Sequence, residues 1–172
     1  SLSASSRFMC LILFRFRPQT AEPLLVAANR DEFHKRASAG AQFWAEQPNI
    51  LAGQDLVAGG TWLGCSRQGR FAALTNFTQG GPATWPKSRG ELVHGFLAGG
   101  QSVKDFALSI KADQYAGYNL LLFDGARLLY TTNVSQPDQP RSRLLPAGDY
   151  GLSNAELGAT WPKCVDGARR LG

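Results

Sequence analysis

Leu11-Ile12-Leu13-Phe14 is an apolar run that Arg15 interrupts before Phe16, and Leu24 to Ala28 is a second short apolar run. Both read as strands, from Cys10 to Phe16 and from Leu24 to Ala28, with Arg17-Pro18-Gln19-Thr20 as the turn between them. Ile50-Leu51-Ala52 is a third strand candidate. Thr61 to Cys65 and Phe71 to Asn76, joined by Gln68-Gly69, have the form of a hairpin. The clearest hairpin is Asn119 to Phe123 against Arg127 to Thr132, across Asp124-Gly125. A last strand lies near Tyr150 to Ser153.

The middle of the chain changes period. Ser88-Arg89-Gly90-Glu91 has capping-box spacing, which starts a helix over Gly90 to Leu97. Ser102 and Asp105 repeat that spacing ahead of Phe106, Leu108 and Ile110. Strands, then helices, then strands predict an α+β fold with largely antiparallel sheet.

Composition narrows the class. The 172 residues are 44% hydrophobic and 18% charged, which fits one folded domain and excludes a disordered chain. No apolar run approaches the roughly 20 residues of a membrane span, and the expected compartment is cytoplasmic. The net charge of +5 is scattered. It forms no basic stripe interleaved with aromatics, so nucleic acid is not the expected partner. Weak attraction to anionic membrane surfaces is compatible with it. Cys10, Cys65 and Cys164 form neither a disulfide framework nor a zinc pattern, and no metal site is expected. Residues 1–8 are small, polar and aperiodic and read as a leader or tag remnant; 9–172 read as one domain.

The candidate chemistry gathers at strand ends. Cys10 follows the only Met of the chain. If Met9 were the true start, its removal would give Cys10 a free α-amine, a base for its own thiol. The plainer reading is a small apolar strand residue. Asn29-Arg30-Asp31-Glu32 follow Ala28 directly. They suit either a structural ion-pair cluster or a group that orients the nucleophile. Asn76, Asn119, Asn133 and Asn154 close strands, where asparagine is depleted. Turn chemistry explains each, and so do amides directed at an oxyanion. Gly59-Gly60-Thr61-Trp62-Leu63-Gly64 lacks phosphate-loop spacing. It reads as a close backbone approach beside Trp62, a core or pocket wall. His34 and His94 are either surface residues or ligands to a metal or haem iron.

Seven segments occur in the order of a known family: Met9-Cys10-Leu11-Ile12-Leu13-Phe14, Ala28 to Phe33, Gly59 to Gly64, Ala73 to Phe77, Ser88 to Val93, Tyr118 to Leu121, and Tyr150 to Ala155. On these the chain, from Met9 to about Lys163, resembles the NRDE-domain family, also called the transport and Golgi organization protein 2 family. The resemblance implies an αββα sandwich like that of N-terminal-nucleophile hydrolases, incomplete here at the C-terminus. By motif position, Cys10 would be the nucleophile and Arg30-Asp31 its orienting pair, with Asn76 and Asn133 on the oxyanion side. Asn29, Glu32, His34, Trp62, Asn119 and Asn154 would contact ligand. Three departures stand against catalysis: Cys10 is internal, the chain stops at Gly172, and Ser153-Asn154 replaces an Arg of the acylase group. The resemblance also implies a role in intracellular haem trafficking, so the first functional expectation is intracellular binding and trafficking of non-covalent haem or another hydrophobic or amphipathic, lipid-like ligand. A cysteine amidohydrolase acting on linear amides is the second. A scaffold without catalysis, in lipid or acyl-CoA handling, is the third.

Overall fold

A computed structural model describes residues 10–30, 37–77, 84–134, 138–155 and 157. Its strands are β1 (Leu11–Phe16), β2 (Leu24–Asn29), β3 (Ser38–Phe43), β4 (Ile50–Asp55), β5 (Leu63–Ser66) and β6 (Phe71–Asn76), followed by β7 (Tyr118–Phe123), β8 (Leu128–Thr132), β9 (Ser142–Leu144) and β10 (Gly148–Leu152). Helices α1 (Gly90–Ala98) and α2 (Val103–Ser109) fall between β6 and β7. Strands β10-β1-β2 form a small sheet, and β3 to β9 form a large one in chain order. Every pairing is antiparallel.

Side-chain parity decides which strands lie inside. Every residue of β7 is buried. Tyr118, Leu120 and Leu122 face a core shared with the helices, while Leu121 and Phe123 face a core shared with the small sheet. A strand covered on both faces reads as a continuous apolar run, which is why Leu120 to Phe123 does not alternate. By contrast β1 alternates: Ile12, Phe14 and Phe16 are buried between the sheets, and Leu11, Leu13 and Arg15 are half-buried on the other face. Each fully buried leucine of this kind contributes about 2 kcal/mol of transfer free energy.

The described layers are thus helices, large sheet and small sheet. The α+β class and the antiparallel sheets match expectation. Among the described residues no helix covers the outer face of the small sheet, so the expected αββα sandwich is matched here only at the level of its α+β class. Two edge strands went unpredicted. Strand β3 is Ser-Ala-Gly-Ala-Gln-Phe with a register shift between Ala39 and Gln42, and β9 has three residues.

The two helix starts differ. Ser102 caps α2 as expected, its Oγ accepting from the Asp105 N–H at 3.2 Å. The capping box at Ser88 does not form: Arg89 is the N-cap residue, in helical conformation and with no side-chain cap. Backbone contact pins this end instead. A methyl group on Gly60 would lie 2.9 Å from Gly90 backbone atoms, and one on Gly90 would lie 3.1 Å from the Thr61 nitrogen. The expected close approach of the glycine segment is therefore to α1.

The other end of α1 is held by buried Arg70, which donates from Nε to the Phe96 carbonyl at 3.0 Å and from Nη2 to the Gln101 carbonyl at 2.7 Å. Its guanidinium also lies over the Phe96 ring, 3.8 Å from the centroid. A cation on the last carbonyls of a helix meets the negative end of its dipole. Nearby, Asp124 holds the β7–β8 turn by accepting from the N–H groups of Ala126 and Arg127, and it also accepts from Val103 N–H at the start of α2. Burial alone would raise its pKa. The three N–H donors and the Arg127 charge outweigh burial and hold the carboxyl below its ordinary value.

Replacing Arg70 with Met should cost about 2 kcal/mol in urea unfolding, because two carbonyls lose their partner. Asp124→Asn should cost about 1 kcal/mol at pH 7. Because the folded pKa is depressed, that difference is present above the unfolded value near 3.9 and should vanish as pH falls through the folded value. Equal stability of Asp124→Asn and wild type at pH 7 would contradict this account.

Candidate functional site

Where β1 begins, β6 ends and α1 starts, a cleft of about 180 Å³ opens. Cys10, Arg30 and Asn76 line it together with Trp62, so four of the residues singled out from sequence converge. Asp55, Thr61, Ser88 and Arg89 complete its polar wall; Leu74 and Ala58 add apolar surface. A second cavity of about 220 Å³ adjoins it and shares Arg30, Asp55, Thr61 and Trp62.

The thiol of Cys10 belongs to a buried residue, 8% exposed. Its backbone N–H donates to Asn154 Oδ1 at 2.7 Å. That bond joins the start of β1 to the segment after β10, and it uses the one atom that would be the α-amine in a chain beginning at Cys10. Arg30, next after β2, places its guanidinium 5.8 Å from the centroid of Trp62. Asp55 closes β4 and accepts at Oδ1 from the N–H groups of Val57 and Ala58, 2.9 and 3.2 Å.

Arg89 is a functional candidate that sequence reasoning missed. Its Nη1 donates to the Gly117 carbonyl at 2.9 Å, and that carbonyl also accepts from Phe77 N–H just after β6. Burial, and next the positive charge of Arg30, disfavour the charged form of Arg89; negative charge on Cys10 favours it. A guanidinium remains protonated in proteins, so these effects act as an electrostatic load on the cleft. The signal available in the sequence was a cation directly before a helix start.

The asparagines divide by role. Asn76 is exposed at the end of β6 and lines the cleft. Asn119 is wholly buried. Its Nδ2 lies within bonding distance of Thr75 Oγ1 at 3.2 Å and of the carbonyls of Ser153 and Ala155 at 3.3 and 2.6 Å. Its Oδ1 accepts from the Tyr130 hydroxyl at 2.7 Å. Thr75 Oγ1 also donates to the Ser153 carbonyl, 2.6 Å. Asn119 therefore positions the segment carrying Asn154 and is not among the residues lining the cleft.

Asn133 is also placed away from the expected oxyanion side. Its Oδ1 accepts from Tyr118 N–H at 2.9 Å, and its Nδ2 faces the carbonyls of Ala112, Tyr115 and Ala116 at 3.0–3.2 Å. These bonds close the loop ahead of β7, the turn chemistry that is the plainer role for a strand-end asparagine.

Asn29 closes β2 and is exposed outside the cleft lining. His94 is hydrogen-bonded to Gln47 Oε1 at 2.8 Å and stacked on Trp44, ring centroids 5.3 Å apart. It does not reach the cleft. Asp31, Glu32 and His34 lie outside the described residues. Among the described residues, no group of three or more His, Cys, Asp or Glu could hold a metal ion, and no helix is long and apolar enough to cross a membrane.

Residues 9–172 match the family model described as Transport and Golgi organisation 2. The chain belongs to that family. It is 39% identical over 173 residues to the human Transport and Golgi organization protein 2 homolog and 38% identical over 173 residues to the mouse Transport and Golgi organization 2 homolog. Each alignment covers 92% of this chain and 62% of the relative, so the chain spans less than two thirds of either relative's length. The Drosophila melanogaster Transport and Golgi organization protein 2 is 39% identical over 79 residues, covering 41% of this chain. The family assignment read from the seven segments is thereby established.

Replacing Asn119 with Ala should cost about 2 kcal/mol, since the Tyr130 hydroxyl and the carbonyls of Ser153 and Ala155 each lose a hydrogen bond to its amide. Chemical denaturation would measure the loss. A variant as stable as wild type would remove Asn119 from the role of linchpin.

Proposed function

We propose that the Cys10 cleft is an acyl-transfer site of the N-terminal-nucleophile kind, acting on amide bonds of small molecules once Cys10 carries a free amine. The observation that carries this reading is the 2.7 Å bond from Cys10 N to Asn154 Oδ1, at a residue that lines one cleft with Arg30 and Asn76. An amine held at that atom can take the proton of the adjacent thiol. The thiolate then adds to the substrate carbonyl carbon, and Asn76, which lines the same cleft, takes the role of amide donor to the oxygen that becomes negative. The carbonyl re-forms as the C–N bond breaks, and the leaving amine departs with the proton. Water hydrolyses the thioester in the second half, returning the thiol. Arg30 supplies positive charge beside the nucleophile, which favours thiolate. The relation to the N-terminal-nucleophile αββα sandwich belongs to this same reading and is supported by the layering of helices on two antiparallel sheets.

Haem, the first expectation from sequence, does not fit the described cleft. Its volume of about 180 Å³ is below the roughly 300–1,000 Å³ of sites for drug-sized ligands. Among the described residues its wall is dominated by Arg30, Asp55, Asn76, Ser88 and Arg89, where a porphyrin face needs apolar surface, and none of the described lining residues is a histidine. No step is routed through iron. The Golgi wording in the names of the relatives is said of those proteins and selects no substrate for this chain.

A version of the chain beginning at Cys10 should hydrolyse members of a panel of N-acyl amides and show a covalent acyl adduct on Cys10 by intact mass. Cys10→Ala should abolish both, and Asn76→Ala should lower turnover about 100-fold with little change in KM. Undiminished hydrolysis by Cys10→Ala, or none by the Cys10-initiated chain across the panel, would sink the assignment.

A further inference from the structure

We propose that the cavity between α1, α2 and the turn ahead of β7 is a second ligand site, separate from the Cys10 cleft, which takes a neutral aromatic molecule carrying one hydrogen-bond donor.

Size and placement carry it first. The cavity measures about 400 Å³, within the roughly 300–1,000 Å³ of sites for small organic ligands. Leu92 and Gly95 of α1, Phe106 and Ile110 at α2, and Gln114 and Tyr115 ahead of β7 line it. It shares no lining residue with the Cys10 cleft. Leu92 and Tyr115 belong to the core under the helices, whereas Phe106 and Ile110 pack against that core and stay partly buried. These two keep apolar surface that an occupant would remove from water. The rings of Phe106 and Tyr115 suit an aromatic occupant.

Gly95 is the second observation. A glycine within a helix is less stabilising than alanine. Nothing in the packing requires it here: a methyl group on Gly95 would meet only the Phe106 ring, at the ordinary contact distance of 3.8 Å. Gly90 differs, because a methyl group there would press on the backbone of Gly60 and Thr61. What the bare α-carbon of Gly95 provides is room in the cavity.

The polar lining narrows the class of ligand. Oε1 of Gln114 is buried without a hydrogen-bond partner. An unmade bond of this kind costs free energy, and a donor on the occupant would complete it. The residue is only half-buried, so its amide can turn toward the cavity without breaking a bond at Oε1. Lys87, Lys111 and Glu91 are exposed in the same lining and carry both signs. A charged occupant would meet a repulsive neighbour as well as an attractive one, and a neutral one meets neither.

Indole and N-methylindole are suitable probes: both are neutral and aromatic, and only indole has an N–H. In calorimetric titration of the full chain, indole should bind saturably and about tenfold more tightly than N-methylindole. In Gln114→Leu that difference should disappear. A difference that persists in the folded variant overturns the proposed ligand class.

Gly95→Leu should lose both probes, because its side chain occupies the cavity. Gly95→Leu and Gly95→Ala should both unfold at higher urea than wild type, since each is the better helix former. Undiminished binding by folded Gly95→Leu overturns the site, as does the lack of saturable binding by wild type. A Gly95→Ala chain less stable than wild type would mean that packing, not room, requires the glycine, and overturns it too. Where Gly95→Leu does not fold, NMR of wild type decides: ring resonances of Phe106 and Tyr115 should shift on titration with indole, and unmoved resonances overturn the site equally. The readouts need no turnover, so the site stands or falls separately from amide hydrolysis at Cys10.

Discussion

The site depends on one buried amide. Asn119 sits in the middle of the large sheet, yet its Nδ2 reaches carbonyls of Ser153 and Ala155, which follow the last strand of the small sheet. Thr75 from the neighbouring strand joins it at Ser153, and Tyr130 from the strand on the other side closes the network through Oδ1. Two sheets packed by apolar side chains alone can slide, because dispersion and desolvation are not directional. A satisfied polar cluster between them selects one alignment, since any shift leaves buried donors and acceptors unpaired. Asn154 lies between the two anchored carbonyls, so its grip on Cys10 N inherits that alignment. This buried polar network therefore lies one step behind the thiol.

A second constraint acts from the helical side. The Gly60–Gly90 contact brings the start of α1 against the segment that carries Thr61 and Trp62, while Arg70 fixes the helix at its other end. A nine-residue helix gains little from its own hydrogen bonds. Its position comes from Leu92, Val93, Phe96 and Leu97 in the core and from these two terminal attachments. One cleft wall thus comes from the sheets and the other from a helix held at both ends. Arg89 sits at the seam, tied to Gly117 at the mouth of β7.

Much of this was legible in the chain. The apolar runs of β1 and β7 marked both as strands, while the covering of β7 on both faces and the alternating burial of β1 emerged only from the packing. The hairpins followed from their turn residues. What failed was the reading of polar residues whose neighbours come from distant segments. Asn76, Asn119 and Asn133 all border strands in sequence, yet one lines the cleft, one lies in the inter-sheet core and one closes a loop. Parity held a clue for Asn119, which shares its face of β7 with Leu121 and Phe123. Strands β3 and β9 lacked any signal, because edge strands of Ser, Ala and Gly, or of three residues, bury too little to be patterned. Arg89 was obscured by a capping-box spacing around it that satisfied a local rule, while the backbone contact at Gly60 decided the geometry.

The bond from Cys10 N to Asn154 serves two chemical states of that nitrogen. A peptide N–H donates to Asn154 Oδ1, and so does an α-amine. Only the amine has a lone pair that can receive the thiol proton. The same fold can therefore present a closed strand start or a nucleophile with its base, and the difference is the covalent state of one atom. Arg30, Arg89 and the helix end are indifferent to that state, since their charge acts through space. The electrostatics of the cleft are thus separable from the covalent state of Cys10. In such a scaffold the surroundings of the thiol follow from the fold alone, whereas the proposed acyl transfer needs a free amine besides.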